Sequence, residues 1–198
     1  MIANKPERRE AAILNAELRN FTRLSEVLPP EKVLELANEF FSLCAMTVTA
    51  NSGKVLSVQN DMLVGAFATG GPKEFAAKAL KSAQDLQREF GTLGEQWKKD
   101  YGLPAAISAA LHLGEAVFGM AGPIAHQQFV AFGDCVSVTE RLVHRARAGE
   151  VVLSLDFMKA LGTSAGTLGA DELPPLEIGK RPPIAIYGMA LEKRLDFT

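Results

Sequence analysis

A hairpin framed by two long helical segments constrains this chain more than any other feature. Residues 51–67 read NSGKVLSVQNDMLVGAF: a turn at Asn51-Ser52-Gly53, a strand over Lys54–Gln59, a tight turn at Asn60-Asp61 and a strand over Met62–Phe67. Asn and Asp tolerate the positive φ that a two-residue hairpin turn demands. The second strand is almost wholly apolar, which predicts a place inside a buried sheet. Before the hairpin, Pro29-Pro30-Glu31 opens a segment in which Val33, Leu36, Ala37, Phe40, Phe41, Cys44 and Val48 recur at helical spacing. After it, Gly70-Gly71-Pro72 opens another, in which Phe75, Ala76, Ala79, Leu80, Ala83, Leu86, Phe90, Leu93 and Trp97 keep the helical period almost to Tyr101. Gly102 and Pro104 end that helix.

The flanking chain supplies more strands. Ala11–Leu18 is short, apolar and bounded by charge, as a buried strand is, and Glu17–Thr22 reads as a polar loop. Ala105–Leu113 and Ala116–Met120 predict strand interrupted by a turn or bulge at Gly114-Glu115, and Gln128–Phe132 predicts another short strand. Gly133-Asp134 leads into a helix with Val136, Val138, Leu142, Val143 and Ala146 on its apolar face. Val151–Ser154 is a strand, Asp156–Leu161 a short helix and 163–170 a Gly/Ser/Thr-rich loop. Leu173–Ile178 and Ile184–Ala190 are strands joined by the turn Gly179–Pro183. The order β, α, ββ, α, β, then further β and α, predicts an α+β sandwich with helices on a largely antiparallel sheet. Residues 1–10 are polar and expected to be a flexible N-terminus, 11–192 to form one domain and 193–198 a tail.

Composition excludes several classes. Lys and Arg number 21 against 23 Asp and Glu, for a net charge of −2, so no basic field or tail draws in nucleic acid. No apolar run approaches the roughly 20 residues of a bilayer span, and MIANKPERRE lacks the apolar region of a signal peptide. Cys44 and Cys135 fit no metal spacing and no disulfide framework. They read as free thiols in a reducing compartment, which places the chain in the cytoplasm.

Four stretches together resemble one family, the class III adenylate and guanylate cyclase catalytic domain. They are NAELRNFTRLSEVLPPEKVLELANEFF (15–41), the hairpin, LHLGEAVFGMAG (111–122) and FVAFGDCVSVTERLVHRARAGEVVLS (129–154). Their order is consistent over roughly residues 11–190. The resemblance implies a ferredoxin-like βαββαβ core with C-terminal additions. It implies a dimer with sites at the interface, where a ribose 3′-hydroxyl attacks the α-phosphate of a nucleoside triphosphate. Two divalent cations, Mg or Mn, support that step.

Carried over position by position, the resemblance puts the two metal carboxylates on Glu17 and Asp61. Glu17 stands where the family has aspartate, one methylene longer. The base-reading lysine falls on Ser57, its Asp or Thr partner on Val130 and the transition-state asparagine on Ser137. The arginine is matched by Arg141, which can meet a phosphate bidentately. The phosphate-loop glycine falls on Asn20, followed by Phe21 and Thr22, and Gly179-Lys180 matches a family Gly-Lys pair preceded here by Ile178. His112 stands where the family often has His, in a packed structural role. Arg141, Arg145 and Arg147 form a solvated helix face.

These substitutions predict a dimeric cyclase-type domain serving signalling as a regulatory or scaffold module, catalytically impaired or inactive. The alternative is an atypical adenylate or guanylate cyclase using Glu17, Asp61 and Arg141, alone or as a heterodimer with a complete cyclase chain.

Overall fold

The computed structural model describes residues 5–190. Its frame is β1 (Glu7–Arg19), which pairs antiparallel with β3 (Met62–Phe67) on one side and β4 (Ala106–Ala121) on the other. β2 (Lys54–Gln59) joins β3 through the Asn60-Asp61 turn, giving the sheet order β2-β3-β1-β4 of a ferredoxin-like core. β6 (Glu150–Ser154) lies parallel to β4, and β8 (Ile184–Ala190) and β7 (Asp171–Leu176) extend the sheet beyond it. β5 (Gln128–Phe132) pairs with the far end of β4.

β1 is buried on both faces, so its two-residue periodicity feeds two cores. Ala12, Leu14, Ala16 and Leu18 pack under α2 (Pro30–Ala50), α3 (Pro72–Tyr101) and α5 (Leu155–Leu161). There Phe90 stands edge-on to both Phe40 and Trp97, with centroids 6.2 and 5.5 Å apart. The buried indole N–H of Trp97 donates to Glu39 at 2.8 Å. Ala11 and Ile13 face the opposite side, toward α4 (Asp134–Val143) and β5.

The hairpin and the two long helices have the predicted bounds. Asn60 takes φ 53°, whereas Asp61 is not among the positive-φ residues. Elsewhere the structure corrects the reading. β1 begins at Glu7 rather than Ala11, because 7–10 pair with 115–118 of β4. The expected polar loop at 17–22 is divided: Glu17–Arg19 stay in β1, and α1 (Phe21–Val27) starts two residues later. β4 runs without a break through Gly114-Glu115, since both residues keep their β1 partners, Ala11 and Glu10. The loop at 163–170 contains a one-turn helix, α6 (Ala165–Leu168), capped by Ser164. The tail expected over 193–198 lies outside the described residues.

α2 is, by length and composition, apolar enough to cross a membrane, contrary to the expectation that no run approaches that length. Its Leu36, Phe40, Cys44 and Val48 are spent instead on the core under the sheet. Glu31 and the ion pair of Lys32 with Glu35 occupy the outer side. An amphipathic core helix explains the same composition.

Candidate functional site

Glu17 closes the buried part of β1 on the face shared by Ala11 and Ile13, directly opposite Met62 on β3 and Ser108 on β4. Arg19, two residues on and therefore on the same face, donates to Glu17 Oε1 at 2.8 Å. The other carboxylate oxygen, Oε2, is buried without a hydrogen-bond partner. A polar atom left so costs about 1–3 kcal/mol, more when charged.

The chain then turns, and the amide of Leu18 donates to the carbonyl of Asp61 at 2.8 Å. That bond seats the hairpin turn against the end of β1. Asp61 is half-buried there rather than at an exposed tip, and its carboxylate has no partner among the described residues. A buried, orphaned carboxylate oxygen with a second carboxylate in the turn beside it is chemistry that suits a hard divalent cation. The residues therefore fit Mg or Mn.

The turn after β1 keeps the shape that a glycine would allow. Asn20 adopts φ 70°, and its Nδ2 donates to the carbonyl of Pro104 at 2.7 Å. Phe21 packs partly into the core as the first residue of α1, and Thr22 is exposed.

The remaining predicted positions lie on other walls. Ser57 is exposed on β2, beside a bulge, and Val130 is half-buried on β5 opposite Gly119. Lys54 on β2 stands over the Phe129 ring of β5, its Nζ 3.2 Å from the centroid, so these two strands converge. A cavity of about 400 Å³ opens beside them, lined among others by Lys5, Arg9, Lys54 and Phe118. It lies at the start of β1, about 26 Å of strand from Glu17 to Arg9, and neither carboxylate lines it. Ser137 and Arg141 project from the exposed side of α4. Lys180 is exposed in the β7–β8 turn; its neighbour Arg181 ties that turn to α4 through Asp134 at 2.5 Å. The Arg181 hydrogen bond holds the Asp134 carboxyl below the usual carboxylate range. Among the described residues, no hydrogen bond or ion pair joins the Glu17–Asp61 end to Ser57, Val130, Ser137, Arg141 or Lys180.

His112 is buried on β4 and its Nδ1 shares a hydrogen bond of 2.7 Å with Ser154 Oγ. Ser154 in turn accepts from the amide of Phe157 and caps α5. The ring is thus a strut between β4 and β6, the packed role expected for it. Both cysteines are free and buried. Burial pushes the Cys135 thiol up to about 11 and raises that of Cys44 as well, so neither is a thiolate at neutral pH.

Sequence reasoning passed over Asn15 and Ser108, both fully buried on the Glu17 face and both with an unpartnered oxygen. The signal was present: each is a lone polar residue inside an apolar strand.

The carboxylate pair at the end of a ferredoxin-like sheet defines a class. Residues 3–180 match the adenylate and guanylate cyclase catalytic domain, and the chain belongs to that family. Over 137 residues it is 27% identical to Adenylate cyclase 1 of Rhizobium meliloti (strain 1021), a match covering 68% of this chain and 20% of that protein. It is also 27% identical, over 162 residues, to Adenylate cyclase 2 of the same organism, covering 79% and 43% respectively. The chain thus spans well under two thirds of either relative. Among solved structures, the adenylyl cyclase CyaB of P. aeruginosa superposes with a TM-score of 0.86 at 20% identity, over 97% of this chain and 100% of that one. That likeness concerns the fold.

Proposed function

We propose that this domain is a dimerising signalling module that retains the metal-holding end of a class III nucleotide cyclase but lacks the end that reads the base. The observation that carries the reading is an asymmetry. The Leu18–Asp61 backbone hydrogen bond seats the Asp61 turn against the end of β1 that carries Glu17, whereas the positions implied to face the nucleotide carry Ser57, Val130 and Ser137. Val130 has no side-chain donor or acceptor, and the two serines carry no charge and reach less far. In a homodimer both sites share every loss, so the homodimer is catalytically impaired.

Glu17 Oε2 and the Asp61 carboxylate would hold the cations, and Arg19 fixes the Glu17 carboxylate in place through Oε1. When bound, the cations supply charge neutralisation at the phosphates and activation of the attacking hydroxyl. Arg141 is exposed on the last turn of α4 and free to meet a phosphate oxygen from the protein surface.

Dimerisation is supported by apolar residues left in water on the β4–β5 side. Ile124 is 90% and Phe132 68% exposed, and Met120 is exposed with them. A second reading follows from the same asymmetry: paired with a complete cyclase chain, the Glu17–Asp61 end would meet intact base-reading residues, and that heterodimer would turn over. A cytoplasmic location is part of the proposal and is supported by the two reduced, buried thiols.

The test is cyclic-nucleotide formation by the purified protein with Mn²⁺ and ATP or GTP. The homodimer is expected to give product at least about 10²-fold below a complete family member, the cost expected of reacting groups displaced by about 1 Å. Comparable turnover, abolished by Asp61→Ala, would establish the atypical cyclase instead.

A further inference from the structure

Four buried side-chain atoms among the described residues lack a hydrogen-bond partner: Asn15 Oδ1, Glu17 Oε2, Ser82 Oγ and Ser108 Oγ. Three of the four fall on one face of two paired strands. Asn15 and Glu17 are two residues apart on β1 and so point the same way. Ser108 on β4 is the direct partner of Glu17, and Ala110 that of Asn15. Directly opposed side chains stand about 5 Å apart at Cβ and diagonal neighbours about 7–8 Å, a spacing that an ion between them bridges when the three oxygens turn inward.

None of the three oxygens has a hydrogen-bond partner, and the residues packed around them are mostly apolar. Ala110 is buried in the apolar cluster with Val138 and Leu142 of α4, and Met62, the other cross-strand neighbour of Glu17, packs against the same cluster. Asn15 is 1% exposed and Ser108 wholly buried. A carboxylate, an amide carbonyl and a hydroxyl form an all-oxygen set without imidazole or thiolate, which suits a hard cation and not a soft one.

We propose that Asn15, Glu17 and Ser108 together bind a divalent cation of the Mg or Mn class, Glu17 giving the charge and the other two giving neutral oxygens. This rests on the reading of Glu17 as metal-holding and extends the donor set to two residues that the family resemblance assigns no role. Arg19 on Glu17 Oε1 orients the carboxylate so that Oε2 belongs to the cluster.

The experiment is Mn²⁺ binding to the whole chain, read by loss of the free-ion electron paramagnetic resonance signal. The variants are Asn15→Leu, Ser108→Ala, Asp61→Ala and, as a control on α3, Ser82→Ala, each checked for folding by circular dichroism. Asn15→Leu and Ser108→Ala are expected to weaken Mn²⁺ by about tenfold or more, and Ser82→Ala to leave it unchanged. Ser108→Ala alone decides if Asn15→Leu fails to fold, since it removes one oxygen and little volume. Loss of affinity in Asp61→Ala with none in Ser108→Ala would overturn the three-oxygen site and leave the Glu17–Asp61 reading standing, buried water then satisfying the cluster. No Mn²⁺ binding by the unaltered protein would overturn both.

Discussion

His112 shows how a single residue couples to pH. Burial outweighs the smaller pull of Asp156 and Asp134 toward protonation, and Arg181 acts with burial, so the folded imidazole titrates below its ordinary value of about 6.5. The unfolded chain therefore takes up a proton first as pH falls, and by linkage stability is lost from about pH 6.5 downward until the folded ring itself protonates. Urea midpoints at pH 7.5 and 5.5 are expected to fall further for the native protein than for His112→Gln; equal falls would remove His112 as a source. The role of this ring was legible in the sequence. Its partner was not, because Ser154 lies 42 residues away and only the parallel β4–β6 pairing brings it near. Asn20 is similar: its tolerance of φ 70° can be read from residue type, but its bond to Pro104 cannot.

At the scale of elements, periodicity located the hairpin and both long helices, since each buries one face and nothing overrides it. It failed where pairing overrides composition. Gly114-Glu115 looks like a break and is continuous strand, because β1 pairs straight through it. Gly114 serves packing instead: a Cβ there would lie 2.9 Å from Cys135 Cβ, at the start of α4. Gly114→Ala is expected to destabilise the domain by about 1–3 kcal/mol through overpacking. Gly166→Ala in α6, where nothing stands within 4 Å, is the control expected to have no such cost. Denaturant unfolding of the two variants checks this; equal stabilities would show that α4 has room to yield. The carboxylate pair was legible only through the family pattern, since Glu17 and Asp61 are 44 residues apart in the sequence. Asn15 and Ser108 carry no such pattern, and only cross-strand register joins them to Glu17.

The whole molecule sets its unsatisfied oxygens, around Glu17, and its cavity at opposite ends of β1. Ser57 lies level with the first end, since its partner Val64 faces Asn15, and Val130 lies level with the second, opposite Gly119. On the proposed reading, a nucleotide is held by its phosphates through a cation at Glu17 and Asp61, with little grip on its base from Ser57 or Val130. The direct measurement is calorimetric titration with non-hydrolysable ATP and GTP analogues, with and without Mn²⁺. Binding that requires Mn²⁺, is lost in Asp61→Ala and differs by less than about threefold between the two analogues, under 1 kcal/mol, is the predicted result. Binding that survives without metal, or prefers one base by tenfold or more, would contradict that reading.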